Sequence, residues 1–420
     1  MRDLPANTRH TLRLLPLWAV PGNAALYYLA LYMKGNGLGT LSIGVVLSAN
    51  LYLALVFQLV AGGVINRLGR KQTTVVFYFT SWIFPMFIWS VAHDFWLFLV
   101  AYLLNASSKI IDISFSLLAI DDATEQQRPR IYAAMKLIIT AAGLLTPLVG
   151  VSMEHFGSVS ALRVVYFVGG VSMLVHVLWY RRVTTETGAG RTAMEAHDGT
   201  GVLRSIGPNL RLFARACRSP LLLPLIGLYI LTSVGWQLNV FQAVYLSETL
   251  DFSDRVISLF PAFGAAVSLL CYFLVMPRLR STSSERYMVA ALLLNVLGWS
   301  VFLTVSRGTL TLLLVSAALT AAGHFLTEAY RDAILVGRVA AEDRAGMFSV
   351  VQGSAAVAAI PCGYVAAVLY ETRPLLLFVV ILATYVGGSV CALLLLRTGR
   401  SGAVAEAAAT CDPKEAAGAE

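Results

Sequence analysis

Twelve apolar runs, most of them parted by turns of only a few residues, constrain this 420-residue chain more than any other feature. They fall at about 12–33, 41–65, 73–92, 95–117, 131–152 and 161–180. After a polar gap they resume at about 220–246, 255–276, 286–305, 309–335, 345–369 and 374–397. Each is long enough to cross the hydrocarbon of a bilayer, which takes about 20 residues of helix. Backbone polar groups in hydrocarbon must be satisfied within the segment, so such runs fold as helices, and short turns force neighbours antiparallel. The expected fold is an all-α membrane protein of twelve transmembrane helices in two six-helix halves. A content of 58% hydrophobic and 13% charged residues suits a chain whose outer solvent is lipid.

The polar gap sets the organisation. Residues 1–182 form one six-helix bundle, 183–219 a cytosolic linker, 220–400 the second bundle, and 401–420 a disordered cytosolic tail rich in Ala, Gly and Glu. Within the linker, Ile206–Arg218 sets Arg211, Arg215 and Arg218 beside Leu210, Leu212 and Phe213; a solvated linker and a helix lying on the inner leaflet are both open. With a cytosolic amino terminus, 23 of the 31 Lys and Arg residues fall on the inside, 5 outside and 3 within spans. That bias places both termini in the cytosol of a multi-pass cell-membrane protein. The net charge of +8 is then a topology signal and implies no nucleic-acid partner. Arg2, Arg9 and Arg13 precede an apolar run too long for a cleaved leader, so an uncleaved first helix is expected. The five cysteines imply no disulfide framework. No zinc pair, nucleophile elbow or phosphate loop occurs, so neither enzyme chemistry, a metal nor a cofactor is expected.

Between the second and third runs lies Gly62-Gly-Val-Ile-Asn66-Arg67-Leu-Gly69-Arg70-Lys71. Three cations in ten residues cannot lie in hydrocarbon, so this is a loop at a membrane face. An offset of 214 residues also places Arg130 on Arg344 and Pro147 on Pro361, which relates the two halves as a repeat. The loop spacing, helix count, six-plus-six division and repeat together resemble the major facilitator superfamily over about 12–397. The resemblance implies two parallel halves with a substrate cavity at the midplane, lined by helices 1, 4, 7 and 10. It also implies that the loop is conformational. Gly62 would permit close helix approach, Gly69 would end a helix, and Arg67, Arg70 and Lys71 would anchor the surface. Asn66 stands where the family carries Asp; it can hydrogen-bond but cannot form an ion pair.

Charge inside spans is the stronger functional signal, because an unpaired ion there is costly. Helix 4 carries Asn105, Lys109, Asp112 and Ser116 at spacings that share a face. Helix 10 carries His324, Glu328 and Arg331 on one stripe, with Asp332 adjacent. A carboxylate on a cavity wall can take up and release a proton as access alternates, which makes Asp112 and Glu328 the coupling candidates, with His324 a third. A structural reading is equally open: Asp112 at matching depth with Lys136, and Glu328 with Arg331 as i, i+3 neighbours. For substrate, Asn23, Tyr27 and Tyr28 on helix 1, Asn105 on helix 4, and Trp236, Gln237, Asn239 and Gln242 on helix 7 offer amides and rings suited to a neutral polar solute.

Helix 5 keeps Gly143, Pro147 and Gly150 of the glycine signature found in drug:proton antiporters of the superfamily, but helix 4 carries Lys109 and no arginine. The expected function is secondary active transport of a small organic solute by a monomer, coupled to protons and leaning to export. Uptake of a sugar-like solute is the alternative, and a non-transporting membrane sensor a distant one.

Overall fold

The computed structural model describes residues 4–195, 223–278, 284–338 and 344–410. The reading of Ile206–Arg218 as an amphipathic helix, and Cys217 and Cys411, lie outside these residues. Among the described residues, eleven helices are long and apolar enough to cross a membrane, and a bent pair makes a twelfth. We label them α1 (Ala6–Leu14 with Pro16–Gly35), α2 (Thr40–Leu68), α3 (Arg70–Val91), α4 (Phe95–Ile120), α5 (Arg128–Phe156) and α6 (Ser158–Val183). The second half holds α7 (Leu223–Thr249), α8 (Asp254–Arg278), α9 (Ser284–Leu303), α10 (Leu310–Leu335), α11 (Val350–Thr372) and α12 (Pro374–Arg397). The chain is a multi-pass membrane protein. The last helix continues through Thr410, ten residues into the segment read as a disordered tail, where alanine favours helix. Cys271, Cys362 and Cys391 are free.

Aromatic rings pack against one another within each half, Tyr32 on Tyr166 and Tyr245 on Phe378, while residues such as Val91, Trp96, Val164 and Leu394 face outward, as lipid permits. α1 packs on α6 and α3 on α4; in the second half α9 packs on α10 and α12 on both α7 and α9. α1 bends by 42° between Leu14 and Pro16, because proline has no N–H to continue the ladder. The bend is supported from outside. Trp18 N donates to Leu15 O at 3.1 Å, and His176 Nδ1 on α6 donates to Leu14 O at 2.9 Å. The segment before the bend lies across the ends of α4 and α6, with Thr8 Oγ1 donating to Ala119 O and Thr11 Oγ1 bonded to Tyr180 Oη.

Contact between the halves is concentrated at one end, where α2 meets α11 and α5 meets α8. Glycines make the approach possible. A Cβ on Gly44 would lie 2.5 Å from Ala367 Cβ, one on Gly363 2.7 Å from Leu47 Cβ, and one on Gly150 2.1 Å from Ser258 Oγ. Three hydrogen bonds tie the same seam: Ser158 Oγ to Asp254 Oδ2 (2.5 Å), Tyr364 N to Ser48 Oγ (2.8 Å) and Tyr27 Oη to Ile257 O (3.3 Å). Toward the other ends of α2 and α11, where Arg67, Arg70 and Lys71 sit, a Cβ on Gly62 or Gly353 would meet nothing within 4 Å. The halves therefore part toward this basic end. The expected close approach at Gly62 is absent here, because no opposing helix reaches it.

Candidate substrate cavity

A cavity of about 710 Å³ opens between the halves where they part. Its walls come from α2 (Asn50, Gln58), α4 (Asn105, Lys109, Asp112), α7 (Trp236, Gln237), α10 (His324, Glu328, Arg331) and α11 (Gln352), with Trp18 of α1. The charged stripes on α4 and α10 thus reach one space.

The ions choose partners other than those the structural reading of the sequence paired. Lys136 Nζ on α5 donates to Glu328 Oε2 at 2.6 Å, so this ion pair bridges the two halves. His324 Nε2 lies 3.7 Å from the other oxygen of Glu328. The imidazole stacks on the Trp236 indole, ring centres 4.1 Å apart and 11° from parallel. Asp112 does not pair with Lys136; it takes Lys109, one helical turn earlier, at 3.2 Å. Glu328 does not pair with Arg331 either. That guanidinium lies 4.4 Å over the Tyr229 ring, donates to Thr232 Oγ1, and has Asp332 as its nearest acid at 3.7 Å. Arg331 points back into the second half, so the interhalf contact falls to Lys136 and Glu328.

Several residues expected on the wall serve elsewhere. Asn23 donates to Ile139 O on α5, Tyr27 ties the far seam, and Tyr28 is fully buried in the core. Asn239 and Gln242 bond to each other at 2.9 Å beside a tight turn at Asn239–Phe241, which turns them from the cavity. Asn105 does reach the wall but is buried, donating to Ser81 O in a wide turn of α3. Trp236 and Gln237 remain on the wall. Asn50, Gln58 and Gln352 were missed; each is a carboxamide set among apolar residues of α2 or α11, a signal the sequence does contain.

At the basic end the loop is held by residues from distant segments. Gly69 has φ +82°, and a Cβ there would lie 2.6 Å from the Glu186 carboxylate. Glu186 accepts from the backbone N–H groups of Arg70 (3.0 Å) and Lys71 (2.9 Å), capping the positive start of α3. Arg70 is buried and pairs through Nε with Asp121 at 3.2 Å, and Thr187 Oγ1 donates to the same oxygen of Asp121. Asn66 and Arg67 are exposed. Replacing Asp121 with Asn strands a buried guanidinium, an effect worth about 3–5 kcal/mol. The expected result is a melting temperature several degrees lower, while Glu125→Gln, at an exposed site, leaves melting unchanged.

Comparison with known proteins agrees with this architecture. The family model described as Major Facilitator Superfamily matches residues 19–284. A mutant form of the nucleoside transporter NupG superposes with a TM-score of 0.73 at 14% identity, covering 94% of this chain and 99% of that one. A mutant peptide transporter POT bound to sulfate gives 0.68 at 15%, covering 93% and 94%. A structure concerned with substrate recognition in proton dependent oligopeptide transporters gives 0.67 at 15%, covering 92% and 97%. At these identities the likeness is one of fold. No curated protein sequence gives a significant match.

Proposed function

Since the chain belongs to the major facilitator superfamily, we propose that it is a proton-coupled secondary transporter of a small organic solute, working by alternating access in the cell membrane with both termini cytosolic. The observation that carries the coupling is the Lys136–Glu328 pair across the two halves, with His324 at hand. Protonation of Glu328 removes the charge that holds Lys136, so loading a proton weakens a contact that the halves must break to move. The accessible side is the basic end, which the distribution of cations assigns to the cytosol. Gly143 and Gly150, which suggested export, line the α5–α8 seam, a role that import needs equally; a Cβ on Gly143 would lie 3.1 Å from Ala265 Cβ. The reading therefore rests on coupling, not on direction. Uptake of a sugar-like solute has less support, since neither Asn239 nor Gln242 is on the cavity wall.

The test is transport into proteoliposomes with and without an imposed pH gradient, across nucleosides, dipeptides, hexoses and amphiphilic cations. Movement of one class, stimulated by the gradient, is expected. Failure of every class under any ion gradient overturns the proposal. Orientation is checked by labelling single cysteines at Asn66 and His155 in intact cells. Asn66→Cys is expected to stay protected and His155→Cys to react; the reverse pattern inverts the topology.

A further inference from the structure

The cavity wall contains a feature that coupling does not use. Trp236 is 54% exposed, and His324 covers one face of its indole. The other face is left to the cavity. Gln58 from α2, Gln237 from α7 and Gln352 from α11 line the same cavity, and no hydrogen bond to another described residue holds them. Each carboxamide offers a donor and an acceptor in one plane. The charges, by contrast, already have partners: Lys109 with Asp112, Lys136 with Glu328, and Arg331 with Asp332 at 3.7 Å. A solute carrying a net charge would have to break one of these pairs or enter unpaired, which a partly desolvated site disfavours.

We propose that the substrate is an uncharged planar heteroaromatic solute of nucleobase or nucleoside kind, stacked on Trp236 and read along its edge by the three glutamines. The inference rests on the transport reading above and names its solute class. A flat ring gains dispersion over its whole face on an indole already rigidified by the imidazole beneath it. Its ring nitrogens and exocyclic groups alternate donors and acceptors, and carboxamides match that pattern as they do on base edges. A hexose would satisfy the amides but lacks the flat face. A dipeptide zwitterion would compete with these ion pairs.

The test uses purified full-length protein, with uridine, adenosine, glucose and dialanine as probes, read by the rise in melting temperature and by counterflow in proteoliposomes. A nucleoside is expected to stabilise the protein and exchange, while glucose and dialanine do neither. Trp236→Ala is expected to weaken nucleoside binding about tenfold or more, and Trp236→Phe, which keeps a ring, by less. Trp96→Ala, on the lipid-facing surface, leaves affinity unchanged, and unliganded melting temperatures show that each variant is folded. Transport of glucose or dialanine with nucleosides inert overturns the solute class and leaves the transporter reading standing. Equal nucleoside affinity in Trp236→Ala and the parent overturns the stacking site. No exchange of any of these four probes overturns the solute class, while the transporter reading falls only if the amphiphilic cations of the wider screen also fail to move.

Discussion

Gly150→Val is expected to abolish transport and hold the far end of the molecule open. At Gly150 an added Cβ would lie 2.1 Å from Ser258 Oγ, 2.4 Å from Ser258 Cβ and 2.8 Å from the Asp254 carbonyl oxygen. Real contacts of this kind do not exist, and two of the three atoms belong to the rigid part of α8. Overpacking a tight contact costs about 1–3 kcal/mol, and each 1.4 kcal/mol is about a tenfold change in population. The closed seam should therefore lose one to two orders of magnitude in population. Cysteines at Ser158 and Asp254, whose side chains meet at 2.5 Å in the parent, report this directly. Cross-linking is expected to fall sharply in Gly150→Val, and likewise in Gly44→Val, whose Cβ would lie 2.8 Å from the Gly363 carbonyl oxygen. Gly62→Val, facing open space, should leave far-end cross-linking as it was. Undiminished cross-linking and transport in Gly150→Val would show that the seam is not what closes this end.

Glu328→Gln should separate exchange from accumulation. A residue protonated once per cycle is needed for net movement against a gradient, whereas exchange returns the protein loaded each way. One pH unit corresponds to about 1.4 kcal/mol, so the parent can accumulate solute about tenfold per unit, and the variant should accumulate none. Counterflow should persist. Because the Lys136 side chain is 56% exposed, losing its partner does not strand it in the packed core, and the variant is expected to fold. A structural role predicts a different pattern: a lowered melting temperature, recovery on adding Lys136→Gln, and accumulation intact throughout. Asp112→Asn is the comparison, since its partner Lys109 lies on the same helix and ties no second half.

The sequence reports some of this site and hides the rest for identifiable reasons. Spacing along one helix is local, so the stripe of His324, Glu328 and Arg331 could be read, and Glu328 with His324 does face the cavity. Which ion meets which is decided by how helices rotate against one another, and depth along the membrane does not carry that angle. Asp112 and Lys136 share a depth but not a face. α4 is interrupted between Asn105 and Ser108, where Ser107 Oγ donates back to Leu104 O, and this resets the direction of everything beyond it. The tight turn at Asn239–Phe241 does the same to the amides of α7. The anchoring of the basic loop was equally hidden. Asp121 and Glu186 reach Arg70 from 51 and 116 residues away, one at the end of α4 and the other in a segment read as plain linker.

The bent first helix bears on how the protein is made. Its carbonyl at Leu14 waits for a donor 162 residues later in the chain, and Thr11 waits for Tyr180. At about 5–20 residues per second, a ribosome needs roughly 8–30 s to deliver α6 after α1 has emerged. Through that interval the earliest span lacks the contacts that support its bend, so a nascent amino-terminal half is exposed to quality control until its sixth helix inserts.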